Sequence, residues 1–299
     1  SIESVTEVSK PDEYSSMKEM MSETVEHIEH LVSDESARGL KTGFVKLDHK
    51  LSGMREGEFI LIDARPSMGK TSLALNIADY VAMEEGEAVG IFSLEMPEKA
   101  IGTRMLATRA EVPMSRINSG KLLDEDWQQL VSASGDLSNC ELFVDDSAMS
   151  KLHDIRAKAR SMVNDGAKII IIDYMQLVEV GRNFSRRERA LAEISKSLKG
   201  LAKDLNCCVV CLSQLNRSLE SRTDKRPRIS DMRGSGALEE HADVICMLYR
   251  DEYYNEESDQ SGIAEIIVGK NRNGPTGTVK TIFKEQLTKF ENMPNQIGS

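Results

Sequence analysis

Residues 57–72 read Gly57-Glu58-Phe59-Ile60-Leu61-Ile62-Asp63-Ala64-Arg65-Pro66-Ser67-Met68-Gly69-Lys70-Thr71-Ser72. A short apolar run, Phe59 to Ile62, meets a tight turn and then Gly-Lys-Thr. The residues that follow, Leu73-Ala74-Leu75-Asn76-Ile77-Ala78, are good helix formers. This is the strand–loop–helix order of a phosphate-binding loop. Its physics is specific: backbone N–H groups of the loop and of the helix N-terminus converge on one spot and favour a polyphosphate. The nucleotide-binding set expected from it is Arg65, Pro66, Ser67, Met68, Gly69, Lys70, Thr71 and Ser72. Lys70 supplies a point charge near the β- and γ-phosphates, and the Thr71 hydroxyl is suited to the Mg²⁺ that accompanies a nucleotide. Ala64 stands where the motif usually opens with Gly, a change that costs little if φ stays negative.

A second strong signal lies about a hundred residues further on. Lys168-Ile169-Ile170-Ile171-Ile172-Asp173-Tyr174 is apolar on both faces, as a central parallel strand requires. Asp173 at its C-terminal end is placed to hold Mg²⁺ through water; the blander reading is a strand-end Asp capping a turn. A third strand, residues 88–94, runs into Glu95-Met96-Pro97. Glu95 is placed to polarise the water that attacks a γ-phosphate, or else serves as a helix N-cap or first-turn acid. A fourth, residues 207–212, ends near Gln214, where an amide can touch the γ-phosphate. Its Cys208-x-x-Cys211 lies in an apolar run and reads as buried strand rather than as a metal or redox motif.

The remaining chain alternates. Residues 42–57 read as a short strand or turn leading into the phosphate-loop strand. Helices are expected over 98–108, through 109–138 with turns at Pro113 and Gly120, over 151–164 with Gly166 as C-cap, and over 190–204. Strands are expected over 244–249, 263–270 and 277–284, the last two as a hairpin across residues 271–277. Strands alternating with helices and closing on an antiparallel hairpin give an α/β fold with a mainly parallel, doubly wound sheet. Residues 1–13 read as a mobile tail. Over 14–32, Met17, Met20, Met21, Val25, Ile28, Leu31 and Val32 recur at three- and four-residue spacing, one apolar stripe on a helix. That helix either folds back on its own domain or docks on a neighbouring subunit, with a hydrophilic linker at 33–39. The domain division expected is 1–39 for tail, helix and linker, 40–290 for the α/β domain, and 291–299 for a tail.

Bulk properties set limits. The chain has 299 residues, 29% of them charged and 40% hydrophobic, with a net charge of −11. It has no run of 18 apolar residues, so no membrane partner is expected. Five cysteines in mostly apolar runs point to reduced core thiols and a cytoplasmic protein. The first residue is Ser1 rather than Met, and a missing N-terminal segment is expected from it. The net charge argues against general nucleic-acid affinity. The basic residues, however, are grouped: Arg182, Arg186, Arg187 and Arg189 follow one central strand, and Arg217, Arg222, Lys225, Arg226, Arg228 and Arg233 follow another. By themselves these are either solvated loops or phosphate contacts.

Six motifs in order carry a family resemblance: Ala64-Arg65-Pro66-Ser67-Met68-Gly69-Lys70-Thr71, Phe92-Ser93-Leu94-Glu95-Met96, Ile172-Asp173-Tyr174-Met175-Gln176-Leu177, Leu212-Ser213-Gln214-Leu215-Asn216-Arg217, Asp231-Met232-Arg233-Gly234-Ser235-Gly236 and Lys270-Asn271-Arg272-Asn273-Gly274. Over roughly residues 38–288 the chain resembles the RecA-like motor domain of the DnaB-type hexameric replicative helicases, bacterial or phage. The resemblance implies a RecA-like P-loop fold, ATP or another NTP with Mg²⁺ as cofactors, and ATP-driven translocation on single-stranded DNA with unwinding at the replication fork. It implies Lys70, Glu95, Gln214, Lys270 and Arg272 as catalytic residues, the last two reaching a neighbour's γ-phosphate, with Thr71 and Asp173 at the metal. Arg182, Arg186, Arg187, Arg217, Arg233, Gly234 and Gly236 would face DNA in a central channel. Without the resemblance, Lys270 and Arg272 read as a solvated hairpin pair. Also implied are a hexameric homo-oligomer in the full-length protein, a linker helix that docks on the next subunit, primase and a helicase loader as partners, and a bacterial host cytoplasm if the gene is a phage's. The other readings of the same loops are a RecA-like recombinase and a regulatory nucleotide-binding assembly protein.

Overall fold

A computed structural model describes residues 16–33, 39–147, 151–180, 187–232 and 234–294. The chain divides into two units, Ser1–Arg38 and Gly39–Ser299. The described residues of the first form one helix, α1 (Met17–Ser33). Its Met17, Met20, Met21, Val25, Ile28 and Val32, six members of the apolar stripe read from the spacing, are all exposed.

The described residues of the second unit form one nine-stranded sheet with flanking helices. Its elements run α2 (Val45–Leu51), β1 (Phe59–Ala64), α3 (Lys70–Met83), β2 (Val89–Ser93), α4 (Glu98–Ala110), α5 (Met114–Ser119), α6 (Asp124–Ser138), β3 (Leu142–Asp145), α7 (Leu152–Asn164), β4 (Ile169–Asp173), α8 (Arg187–Leu205), β5 (Cys208–Gln214), α9 (Ser235–His241), β6 (Val244–Tyr249), β7 (Ile263–Asn271), β8 (Gly277–Lys284) and β9 (Lys289–Asn292). The strand order is β3-β2-β4-β5-β1-β6-β7-β8-β9. Pairings from β3 through β6 are parallel, and β7, β8 and β9 extend the sheet antiparallel.

The apolar runs explain the layering. Every residue of β1, β2, β4 and β6 is buried, as strands covered on both faces must be. Ile60, Ile62, Ile169 and Ile171 point into the core beneath α3, while Phe59, Leu61, Ile170 and Ile172 pack with Leu191, Ile194 and Leu198 of α8. Because β1 lies between β5 and β6, and β4 on the far side of β5, the carboxyl ends of these central strands open on one edge. A phosphate loop placed there faces the ends of its neighbours.

Two local expectations are corrected and a third is extended. Residues 45–51 are helical, not a strand or turn: Phe44, Leu47 and Leu51 are buried at helical spacing, and Asp48 accepts both the backbone N–H and the hydroxyl of Thr42 at 2.6 Å. The C-terminal hairpin is present as β7 and β8, and Phe290 and its neighbours add a third strand, β9, that pairs with β8 through Asn292. Helix α8 begins at Arg187, inside the stretch read as a basic loop.

Candidate functional site

The phosphate loop is held open by its neighbours. Ala64 is the last residue of β1 and pairs in extended conformation with Gln214, so no Gly is needed there. Gly69 adopts φ +93°, and a Cβ on it would lie 3.0 Å from the Phe290 ring and 3.1 Å from the Phe283 ring. Glycine is therefore required at this position both for conformation and for space. Lys70 then opens α3, whose first-turn N–H groups face the loop.

A cavity of about 480 Å³ lies over the loop. It is lined by Ala64, Arg65, Pro66, Ser67, Gly69, Lys70, Thr71 and Ser72 from the loop and α3, and by Glu95, Tyr174 and Gln214 from the ends of β2, β4 and β5. Four separate strand ends thus deliver the expected residues to one place. The Thr71 hydroxyl donates to Asp173 Oδ2 at 2.6 Å. Lys70 Nζ lies 3.6 Å from Asp173 Oδ1 and 4.3 Å from the centre of the Tyr174 ring. Asp173 Oδ1 is buried and accepts no hydrogen bond. A hydroxyl and a carboxylate with a spare oxygen form a hard donor pair that fits a divalent cation such as Mg²⁺.

Glu95 is exposed, lines the cavity and caps no helix. Helix α4 starts at Glu98, its first-turn acid, whose N–H donates to Asp146 Oδ2 at 2.9 Å. The capping interpretation of Glu95 is thereby removed.

Two members of the expected loop set have other partners. The Met68 side chain is buried in the core beneath α3. The Arg65 guanidinium donates from Nη1 to the Leu215 carbonyl at 3.0 Å and from Nε to Glu220 Oε1 at 2.9 Å, so its charge is already engaged although its residue borders the cavity. Sequence reasoning missed Met96, Arg104, Phe283, Glu285 and Thr288, which complete the wall. Arg104 comes from α4 and has no hydrogen bond or ion pair among the described residues; no spacing rule marks it. Phe283, Glu285 and Thr288 arrive because β8 and the turn to β9 fold back over the loop. Arg250 secures that turn: it is buried, donates to the Ser67 carbonyl at 3.2 Å, and pairs with Glu252 at 2.6 Å and Glu285 at 2.9 Å.

Lys270 and Arg272 lie elsewhere. Lys270 pairs with Ile245 in the sheet and donates to the carbonyls of Glu239 and Ala242. Arg272 Nη1 lies 3.2 Å from Asp243 Oδ1, and the Asp243 carboxylate also accepts the Phe59 N–H at 2.8 Å. Both residues therefore sit level with the start of β1, whereas the phosphate loop follows its end. Six residues of strand separate the two levels, on the order of 20 Å. Burial first, and then the neighbouring Arg272 charge, lower the pKa of Lys270.

The basic segments are only partly as expected. Arg182, Arg186 and Arg233 lie outside the described residues, and Arg187 opens α8. Residues 217–232 are not a loose loop. Arg226 forms a two-pronged pair with Glu265 at 2.8 and 2.9 Å, Arg222 pairs with Asp231 at 2.7 Å, and Lys225 lies 4.8 Å over the Tyr254 ring. Arg217 and Arg228 are exposed and carry no side-chain ion pair among the described residues. Gly234 adopts φ +72° as the N-cap of α9, and Gly236 has open space around its Cα. Cys207, Cys208, Cys211 and Cys246 are buried free thiols, as read from their apolar run. Among the described residues no helix is long and apolar enough to cross a membrane, and no cluster of metal-ligating side chains is present.

Comparison with known proteins agrees with this fold. The chain is 44% identical over 283 residues to the replicative DNA helicase DnaB of Geobacillus stearothermophilus, covering 94% of this chain and 62% of the relative. It is 45% identical over 285 residues to the replicative DNA helicase DnaB of Buchnera aphidicola, again covering 94% of this chain and 62% of the relative. It thus spans less than two thirds of the length of these relatives. A solved ATPase domain superimposes with a TM-score of 0.89 at 37% identity, covering 94% of this chain and all of that one. A DnaB-like replicative helicase, solved for its interactions with primase, superimposes with a TM-score of 0.86 at 37% identity over 94% of this chain and 68% of that one. The model of the DnaB-like helicase C terminal domain matches residues 39–292, and the chain belongs to that family.

Proposed function

We propose that the chain is the motor domain of a replicative DNA helicase. It hydrolyses ATP or another nucleoside triphosphate, moves along single-stranded DNA and separates the duplex at the fork. One observation carries the reading: the phosphate loop, Thr71, Asp173, Glu95 and Gln214 gather at one edge of the sheet, while Lys270 and Arg272 stand at the opposite level of the same strands. The two cations cannot reach the γ-phosphate of their own chain, yet a neighbouring copy can present them. A site divided in this way suits an assembled ring.

Each residue then has a task. The loop N–H groups and Lys70 hold the phosphates. Glu95 accepts the proton of the attacking water. Gln214, paired in the sheet with Ala64, touches the γ-phosphate from the adjacent strand end. Arg104 is a cation of the same chain that borders the cavity with no ion pair among the described residues. Thr71 and Asp173 would hold Mg²⁺, which would neutralise phosphate charge when bound. Lys270 and Arg272 stabilise the charge developing on the neighbour's nucleotide.

The partners follow. The exposed stripe of α1 supports docking on the next subunit, and a patch formed by Leu123, the N-cap of α6, with Trp127 and Val131 on that helix, exposed and of matching apolar character, is a fitting receptor. Arg217, Arg228, Gly234 and Gly236 follow β5 and suit sequence-independent contact with a DNA backbone, together with Arg182, Arg186, Arg187 and Arg233. A hexameric full-length protein, primase and a loader as partners, and a cytoplasmic site of action complete the proposal.

The test is the hydrolysis rate per subunit against protein concentration, with and without single-stranded DNA. The reading requires a rate that rises with both. A rate flat in both would mean that each subunit works alone, and the ring-motor reading would be abandoned.

A further inference from the structure

The phosphate loop and the segment that follows β5 are joined by a contact the catalytic scheme does not use. The Arg65 side chain, 7% exposed, spends its guanidinium on this segment: Nη1 donates to the Leu215 carbonyl at 3.0 Å, and Nε and Nη2 both reach Glu220 Oε1, at 2.9 and 2.8 Å. The backbone runs in the same sense, with the Leu215 N–H donating to the Ala64 carbonyl at 3.1 Å. Glu220 lies in the 3₁₀ turn Arg217–Ser221, the turn that carries exposed Arg217.

That turn does not move freely. Asn216 N–H donates to the Asp231 carbonyl at 2.9 Å, Leu215 bridges to Met232, and Arg222 ties the Asp231 carboxylate to the Arg226 carbonyl. Residues 216–232 are thus a braced unit. A displacement of Arg65, which follows β1 directly and borders the cavity, reaches the unit through Glu220. A buried, multiply bonded guanidinium transmits such a shift because its planar fork fixes direction as well as distance.

We propose that Arg65 and Glu220 are positioning residues that couple occupancy of the phosphate loop to the placement of residues 216–232, in parallel with Gln214. Their output on DNA rests on the motor reading above; their effect on the segment does not. Glu220 does not itself line the cavity, is not among the expected DNA contacts and meets the cavity wall only through Arg65, so its removal isolates the link.

The experiment compares the parent chain, Glu220→Ala and Glu220→Gln. Hydrogen–deuterium exchange of peptides spanning 216–232 is read with and without a non-hydrolysable ATP analogue and Mg²⁺. DNA stimulation of hydrolysis is read alongside. In the parent the analogue changes exchange in the segment. In Glu220→Ala that response weakens clearly, the parallel route through Gln214 remaining, and DNA stimulation falls on the order of 5-fold or more, a typical size for coupling between sites. The analogue's affinity stays within a factor of about two, as for loss of a half-exposed partner. Glu220→Gln keeps the acceptor without the charge and gives an intermediate response; it also serves if the Ala variant folds poorly. A segment that responds equally in the parent and in Glu220→Ala, or not at all in the parent, overturns the link. A segment whose response weakens in Glu220→Ala, with hydrolysis indifferent to DNA in the parent, leaves the link standing and removes the motor reading instead.

Discussion

Arg272 Nη1 is held 3.2 Å from Asp243 Oδ1 at the amino end of β6, the level of the sheet opposite to its own chain's Lys70. Asp243 is 4% exposed and also receives Lys199 at 2.6 Å, so the pair is anchored without Arg272. Arg272 itself is more than half exposed and can be presented outward. This geometry makes a sharp prediction. Lys70→Ala and Arg272→Ala should each be nearly inactive alone, the second by on the order of 10³–10⁵ in rate if it acts as a finger in trans. Mixed in equal amounts, they should recover hydrolysis, because an intact phosphate loop on one subunit meets an intact Arg272 on the next. Random assembly in a head-to-tail ring leaves roughly a quarter of interfaces competent. A mixture no more active than its parts would place the cation in cis and contradict the division of the site.

Glu95 and Asp173 should separate chemistry from binding. Glu95 has no hydrogen-bonded partner among the described residues and borders the cavity, so Glu95→Gln should retain nucleotide affinity while hydrolysis falls on the order of 10²–10⁴-fold, as loss of a general base does. Asp173 is bonded to Thr71 and lies beside Lys70. Asp173→Asn should therefore lose the Mg²⁺ dependence of nucleotide binding as well. Titration of a fluorescent nucleotide analogue with and without Mg²⁺ reads both. Equal loss of affinity in the two variants would show that Glu95 binds rather than reacts.

The cysteines supply a prediction independent of nucleotide. Burial raises the Cys207 thiol to about 11 and the Cys246 thiol to about 12, and drives those of Cys208 and Cys211 upward as well. At pH 8 these thiols are protonated and inaccessible. Only half-buried Cys140 should react at an appreciable rate with a thiol reagent in the native chain, against all five after denaturation. Rapid native labelling of Cys208 or Cys211 would mean that β5 is not the buried strand described here.

How much of this was legible beforehand depended on sequence distance. The phosphate loop, the β4 isoleucines and Asp173 could be read because their signals are contiguous: strand, turn and helix follow one another, and four buried residues in a row admit one kind of strand. Helix α2 escaped because it is only seven residues long, and its stabilising contact, Thr42 with Asp48, is visible only once it has formed. The state of the basic residues escaped for a different reason. Arg226 meets Glu265 across 39 residues, and Arg65 meets Glu220 across 155, so no local pattern distinguishes a committed arginine from a free one. Phe283, Glu285 and Thr288 reach the cavity only because an antiparallel strand returns over the loop.

That distinction between committed and free arginines can be measured. Arg226 is paired with a Glu265 carboxylate that is itself 8% exposed, whereas Arg217 stands exposed on its turn. Arg226→Ala strands a nearly buried carboxylate and should destabilise the fold by about 1–2 kcal/mol, less than a fully buried pair because the arginine is partly solvated. Arg217→Ala should leave the thermal midpoint in place. Its effect should fall on DNA instead: weaker binding to any single-stranded sequence, and a salt dependence shallower by about one counterion. Thermal unfolding and binding isotherms at several salt concentrations, run on both variants, read the two effects separately. If Arg217→Ala lowered stability and left the salt slope untouched, Arg217 would be structural, and the segment after β5 would lose its clearest claim to facing DNA.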